Sequence, residues 1–361
     1  MPRRILIIRR DNIGDLILTT PLITALRSKL PEAHIAALVT AYNAPVLEGN
    51  AALNAVHFYT KGKHAGGFFA MLRARLKQAA LFIRLRRESF DDIVLAEMGY
   101  LPRNIRLAKF IRGFNNATRI IGFEHENGAS AGLDIVISKA NTDDLQQAQY
   151  IFLIAHAFAI DVAPSLVPPC VVYPATQQPK SKRFCIGIHI SARKPSQQWS
   201  ADAFVALITQ LHHHTSDAEI TLFWSPGAID NLLHPGDDAK AAEIIDTLEK
   251  IGVDVTPSPT ATLRELINHM ALVDTVVCAD GGALHVAAGL GKPLVALFGD
   301  SEVKRWHPWG VKYVALQKPS LTVADISPDE VFAALLTLTA TVAQPSAAPP
   351  GSSLTNSNAS T

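Results

Sequence analysis

Short apolar runs separated by helix-length segments recur along almost the whole chain, and that alternation leaves few folds open. In the first half, residues 4–8 (RILII), 34–39, 55–59, 92–95 and 119–121 read as buried strands. In the second half the same reading applies to 184–190 (FCIGIHI), 219–224 (EITLFW), 275–279 (TVVCA) and 293–299 (PLVALFG), with helices expected over 201–213, 238–251, 262–271 and 284–290. Strands that are apolar on both faces need cover on both faces, so strand–helix alternation implies parallel sheets flanked by helices. Between the halves runs a proline-rich passage, residues 163–183, with prolines at 164, 168, 169, 174 and 179. These cannot share one helix or a central strand.

The expected architecture is therefore α/β: two Rossmann-like, doubly wound parallel-sheet domains with an interdomain cleft. The first domain is placed at residues 1–165 and the linker at 166–182. The second is placed at 183–342, ending in a closing helix. The last stretch, 343–361 (AQPSAAPPGSSLTNSNAST), is low in complexity and expected to be disordered. A length of 361 residues suits two domains of ordinary size.

The net charge of +1 gives no general attraction to nucleic acid. Three cysteines, Cys170, Cys185 and Cys278, lack CxxC spacing, so neither a zinc site nor a disulfide framework is expected. "MPRR" resembles the basic start of a signal peptide, but "ILII" is only four residues long before "RRDN" interrupts it. No apolar run reaches the roughly 18 residues that span a bilayer. A cytoplasmic setting is expected.

Three turns carry chemistry. "RRDNIGDLILTTPLITALR" (9–27) reads as strand end, turn at Gly14 and helix, the arrangement that often cradles phosphate. Its carboxylates Asp11 and Asp15 would repel a phosphate, so the glycine turn of the second half is the better cradle. In "DTVVCADGGALHVAAGLGKPLVALFGDSEVKRWHPWG" (274–310), a strand ends before Asp280, Gly281 and Gly282, which open a helix. Glycines let backbone N–H groups approach an anion, with Asp280 placed as helix N-cap and His285 in the first turns. A capped helix without a ligand reads equally well from spacing alone. The next strand ends in Gly299, Asp300 and Ser301 at the same sheet edge. A third loop, "HISARKPSQQW" (189–199), offers Ser191, Arg193, Lys194 and Ser196 to a diphosphate, or else is simply solvated.

Two further features point elsewhere. The run His212–His214 has no ligand at useful helical spacing, and no metal site is expected there. Between Lys61 and Arg87 the chain carries many cations, no acid and an apolar component at helical spacing. Such a segment suits an anionic membrane surface or an acidic acceptor, or packs as an ordinary surface helix.

Taken together, "RRDNIGDLILTTPLITALR", "ISARKPSQQW" and "DGGALHVAAGLGKPLVALFGDSEVKRWHPWG" resemble the bacterial heptosyltransferases of glycosyltransferase family 9. The resemblance covers nearly all of the chain except the tail. It implies a GT-B architecture, an N-terminal acceptor domain and a C-terminal nucleotide-sugar domain. The implied reaction moves a heptose from ADP-heptose to a lipopolysaccharide core acceptor with inversion, without a cofactor. The implied setting is the cytoplasmic face of the inner membrane, with peripheral contact. The family's catalytic aspartate maps onto Asp15 as general base, beside Gly14. Its phosphate-binding turn maps onto Asp280, Gly281 and Gly282 with His285, and its hydroxyl-bearing loop onto Ser191–Trp199. Many members carry lysine where this chain has Gln197, and Arg193 or Lys194 is the expected substitute. Another nucleotide-sugar donor or glycan acceptor on the same fold is the alternative. A nicotinamide dehydrogenase would need GxGxxG spacing, which neither glycine turn has.

Overall fold

The computed structural model describes residues 2–60, 68–125, 127–140, 142–176, 179–215, 217–228 and 236–343. The first half runs β1 (Arg4–Ile8), α1 (Ile13–Ile17), α2 (Thr20–Lys29), β2 (His34–Thr40), β3 (Ala55–Tyr59), α3 (Phe68–Arg87), β4 (Asp92–Leu95), α4 (Pro102–Arg112), β5 (Arg119–Phe123), β6 (Ile135–Ile137) and α5 (Gln147–Phe152). Its sheet is parallel throughout, in the order β3-β2-β1-β4-β5-β6. The second half runs β7 (Cys185–His189), α6 (Ala201–His214), β8 (Glu219–Trp224), α7 (Asp238–Lys250), β9 (Thr256–Pro259), α8 (Leu263–Met270), β10 (Thr275–Ala279), α9 (Gly282–Gly289), β11 (Leu294–Phe298), α10 (Val303–Trp306), β12 (Tyr313–Gln317) and α11 (Pro328–Ala343). The second sheet is ordered β12-β11-β10-β7-β8-β9, also parallel, which is the same topology seen from the other edge.

Both sheets thus have the dinucleotide-fold strand order, whose direction of winding reverses between the first and fourth strands. Ligand crevices form outside the strand carboxyl ends at that reversal. Here those places are β1/β4 and β7/β10.

Every strand expected in the sequence is present. Three are added: β6, β9 and β12, all at sheet edges. β6 (IVI) is an apolar run of only three residues, and β12 (YVALQ) is a longer one whose residues are only partly buried. β9 (TPSP) even contains two prolines, tolerated at an edge where an N–H is not needed. The helix expected to begin at residue 284 begins at Gly282.

Among its described residues the proline-rich passage has no regular structure beyond a turn at Pro164–Leu166, yet it is not a free tether. Val171 N–H donates to Thr20 Oγ1 (3.0 Å), Val172 N–H to Gly289 O (2.7 Å), and the Trp309 indole to Pro168 O (2.9 Å). Val167, Cys170 and Val172 are buried in an apolar cluster that also holds Ile5 and Ile17 from one sheet layer and Leu284 and Phe298 from the other. The halves share further contacts: Gln146 Nε2 donates to His307 O (2.8 Å), Arg305 to Leu145 O (2.9 Å), and Arg264 pairs with Glu48. α11 packs on α6, β11 and β12. The tail expected to be disordered, apart from Ala343, lies outside the described residues.

Candidate active site

β1 ends in two arginines, and the first of them organises the turn that follows. Arg9 is fully buried, although its backbone N–H still bonds across the sheet to Leu38 O (3.1 Å). Its guanidinium reaches Asp11 Oδ1 through Nε (2.8 Å), Asp15 Oδ1 through Nη2 (2.7 Å), and Ala96 O at the end of β4. A buried cation has to be matched in this way, because an unpaired charge away from water is costly. Asn12 occupies the N-cap position of α1 without capping the backbone. Its amide instead donates to Asp15 Oδ2 (2.9 Å). Asn12 therefore holds Asp15 Oδ2 by a hydrogen bond, while Oδ1 faces the Arg9 guanidinium as an ion pair without hydrogen-bond geometry, and the residue is 6 % exposed.

A second pair lies behind the first. Arg10 donates its backbone N–H to Glu97 Oε1 (3.2 Å) and a guanidinium N–H to the Tyr59 hydroxyl (3.2 Å), and it also bonds Asn104. Burial raises Glu97 above the ordinary carboxylate range against the opposing pull of Arg10 and Arg9. Burial likewise raises Asp11 to about 6; Arg9 opposes this, and the neighbouring Asp15 and Glu97 reinforce it.

The rise in Asp11 has a measurable consequence. A carboxyl whose folded pKa lies above its unfolded value holds its proton more tightly in the folded state. Its contribution to stability is present below about pH 4 and is lost as pH rises to about 6. Asp11→Asn is therefore expected to stabilise the protein at pH 7.5 by about 1 kcal/mol, discounting for partial exposure. Thermal unfolding at pH 7.5 and at pH 4 checks this, since the gain should vanish at the lower pH.

The turn in the second half is built differently. Gly281, not Asp280, is the N-cap of α9, at φ 155° and ψ −165°, a conformation that suits glycine. This corrects the expected capping role of Asp280. The Asp280 carboxylate instead accepts from Gln197 Nε2 (2.9 Å), which also donates to Ser301 Oγ (2.9 Å). Gln197 thus ties the loop after β7 to those after β10 and β11. Gly299 makes this possible, for a Cβ there would stand 2.2 Å from Ser196 O. Trp199 anchors the same loop, its indole donating to Ile326 O (2.9 Å) from a buried site.

His285 sits within α9, 3 % exposed, with Nδ1 buried and without a hydrogen-bond partner among the described residues. Burial lowers its pKa, against the raising influence of Asp280 and Asp15, so the ring is neutral near pH 7.

The two turns meet. α1 packs on α9, and the His285 ring lies so close to Gly14 that a Cβ at that glycine would stand 2.4 Å from Cδ2. A Cβ on Gly282 would stand 3.5 Å from Ile13. Gly14, Asp15, Gly282 and His285 are therefore brought together across the interdomain contact, with Asp280 at the end of the adjoining strand. The remaining expected residues are more scattered. Ser191 Oγ accepts from Ser225 N–H (2.9 Å) and links the ends of β7 and β8. Lys194 pairs with Asp300 (3.1 Å), which also accepts from Ser196. Arg193 is exposed and makes no hydrogen bond or ion pair among the described residues.

Arg9, Asn12 and Glu97 were not distinguished by sequence reasoning. The one available signal was a charged residue directly after an apolar strand. No group of three or more His, Cys, Asp or Glu side chains able to hold a metal occurs among the described residues.

Two six-stranded parallel sheets of this order, with glycine-containing turns meeting between their winding reversals, have the GT-B architecture. The sequence profile of glycosyltransferase family 9 (heptosyltransferase) matches residues 79–327, well over half of the chain, and the chain belongs to that family. It is 24 % identical over 312 residues to lipopolysaccharide heptosyltransferase 3 of Escherichia coli, covering 82 % of this chain and 83 % of that protein. Among solved structures, the family 9 glycosyl transferase from Veillonella parvula DSM 2008 superposes with a TM-score of 0.74 at 17 % identity, covering 94 % of this chain and 98 % of that one. The E. coli ADP-heptose LPS heptosyltransferase II gives 0.70 at 21 % identity, with coverage of 94 % and 99 %. These structural likenesses show the shared fold. The chain is a heptosyltransferase-like glycosyltransferase.

Proposed function

We propose that this protein transfers a heptose from ADP-heptose to a lipopolysaccharide core acceptor with inversion at the anomeric carbon. The observation that carries the reading is the apposition of Asp15 in the first domain to the Asp280–His285 turn in the second. Inverting transfer is a single displacement, needing a base on one side of the sugar and charge stabilisation on the other. Asp15 is the base, its carboxylate oriented by Arg9 and Asn12. The glycine turn at Gly281 and Gly282 offers backbone N–H groups and a helix N-terminus to the diphosphate. Neutral His285 has an unspent Nδ1 for a phosphate oxygen. Ser191 and Arg193 line the approach on the nucleotide side, with Lys194 held at its rim by Asp300.

The relatives support the donor and acceptor: one is a lipopolysaccharide heptosyltransferase of E. coli, and the E. coli heptosyltransferase WaaC has been solved with ADP and with an ADP-2-deoxy-2-fluoro heptose. The reading places the enzyme in the cytoplasm, against the inner membrane where a lipid-linked acceptor is presented. No described helix is long and apolar enough to cross a membrane. The domains are taken as residues 1–165 and 183–342.

One observation favours a second reading. Gln197 is neutral where many family members carry lysine, and its amide is already occupied by Asp280 and Ser301. A different nucleotide-sugar donor on the same fold accommodates that change. Thermal unfolding with ADP, UDP, GDP and CMP separates the two. Selective stabilisation by ADP, about 2–3 kcal/mol at a hundredfold excess over Kd, is the expected result. Stabilisation by UDP or GDP alone would overturn the donor assignment.

A further inference from the structure

We propose that α3 and α4 form a surface that lies on an anionic phospholipid bilayer, with a second apolar stripe of α3 entering the headgroup region. The proposal does not depend on the transferase reading, because it uses no residue of the catalytic cleft.

α3 is 20 residues long, and only one of its faces is needed by the fold. Leu85 is buried, and Leu81 and Phe82 pack beside it in the apolar cluster with Tyr59, Phe90 and Ile105. That accounts for the ordinary amphipathic pattern. The residues left outside are not polar, as they would be on a solvated helix. Leu72 is 45 % exposed, Leu76 64 % and Ile83 45 %, with Phe69, Ala79 and Ala80 exposed between and before them. At about 100° per residue, these six positions fall within one sector of about 100°. They form a continuous stripe facing away from the domain.

The charges surround this stripe. On the same helical projection, Arg75 and Arg86 border one side, Arg73, Lys77 and Arg84 the other, and Arg87 closes the C-terminal end. α3 contains no Asp or Glu, and nor does α4, which packs beside it and adds the exposed Arg103, Arg106 and Lys109; the acids that reach the two helices come from outside them, Glu88 pairing with Arg84 and Asp134 with Arg112. Arg73, Arg75, Lys77 and Arg87 are exposed and make no ion pair among the described residues. Arg86 extends the patch onto α4: its guanidinium lies 5.4 Å from the ring centroids of both Phe110 and Phe114. Phe114 is 94 % exposed, an unusual position for a phenylalanine in contact with water alone.

Exposed apolar stripe, flanking cations and absence of acid together decide the occupant. A protein partner would be expected to meet carboxylates as well as cations, and a solvated face would not carry Leu76 and Ile83. A helix lying in the plane of an anionic bilayer needs this cross-section. Its apolar strip enters the acyl boundary while long cationic side chains extend sideways to the headgroup phosphates. Residues 61–67, the start of the basic segment read from sequence, lie outside the described residues and are not needed for this argument.

The test is flotation of the full-length protein with vesicles of phosphatidylglycerol and phosphatidylethanolamine, and with phosphatidylcholine alone, at physiological salt. Binding is expected to the anionic vesicles only. L76E/I83E should lower the bound-to-free ratio more than about tenfold, and R73E/K77E should lower it while making the remainder less salt-sensitive. Both double variants should keep the wild-type unfolding midpoint and nucleotide response, because the positions are exposed. No binding to anionic vesicles would overturn the proposal. So would equal binding to phosphatidylcholine, or binding that both variants retain. Light scattering that showed a dimer dispersed by L76E/I83E would assign the stripe to a second copy instead. A failed nucleotide screen with intact vesicle binding would count against the transferase reading alone.

Discussion

Asp15→Asn is expected to lower the transfer rate by about 10²–10⁴-fold, the usual loss when a positioned base is removed. The amide is nearly isosteric and its oxygen can stay against the Arg9 guanidinium, so the turn should keep its shape. Nucleotide affinity should stay close to wild type, because the diphosphate is assigned to the opposite domain. The decisive measurements are single-turnover transfer and ADP binding on the same preparation. A D15N enzyme that binds ADP normally and transfers at a near-wild-type rate would remove Asp15 from the role of base. A loss of ADP binding would instead put the first-domain turn in the nucleotide site.

Gly14→Val is the second large effect. The Gly14 backbone is helical, so strain in its own conformation is not the issue. Its missing side chain makes room for the His285 ring, and a Cβ would approach Cδ2 to 2.4 Å. The ring is buried and cannot swing away, so α1 and α9 must separate. Overpacking of this kind costs about 1–3 kcal/mol. Transfer should fall about 10²-fold, because Asp15 on α1 would be displaced from the donor turn on α9. His285→Ala removes the obstacle. The double variant Gly14→Val/His285→Ala should therefore be more stable than the sum of the single effects. Strict additivity would show that the two side chains do not meet.

The same contact explains what could be read in advance. Strands such as Arg4–Ile8 and Thr275–Ala279 are nearly continuous apolar runs, because both faces of a parallel strand are covered. That signal is local and strong. The edge strand β9 (TPSP) lacks it, with only Ser258 buried, whereas β12 (YVALQ) carries four apolar residues in a row and is open to the same reading. The Asp280 turn was legible through its glycines, but the direction of the Asp280 side chain was not. Whether that carboxylate caps its own helix or accepts from Gln197 depends on a loop far away in the chain. The pairing of Lys194 with Asp300 was hidden in the same way, because strand order brings both loops to one sheet edge without showing which side chains meet there.

The basic segment gives the clearest contrast. Its apolar residues recur at helical spacing whether they serve one face or two. Only the packing of Leu81, Phe82 and Leu85 shows that a second set, Leu72, Leu76 and Ile83, is left over.

The sequence by itself determined the alternation of strands and helices, the parallel sheets this alternation implies, the motifs that mark the family and the positions of the glycine turns. All of these follow from interactions between near neighbours along the chain. Tertiary structure alone decided that Gly14 meets His285, that Arg9 reaches Ala96 O at the end of β4, and that Gln197 joins three loops. These are contacts between segments whose separation in sequence carries no information about their packing. The physical reason is that periodicity fixes which face of an element is buried, but not which face of another element it is buried against.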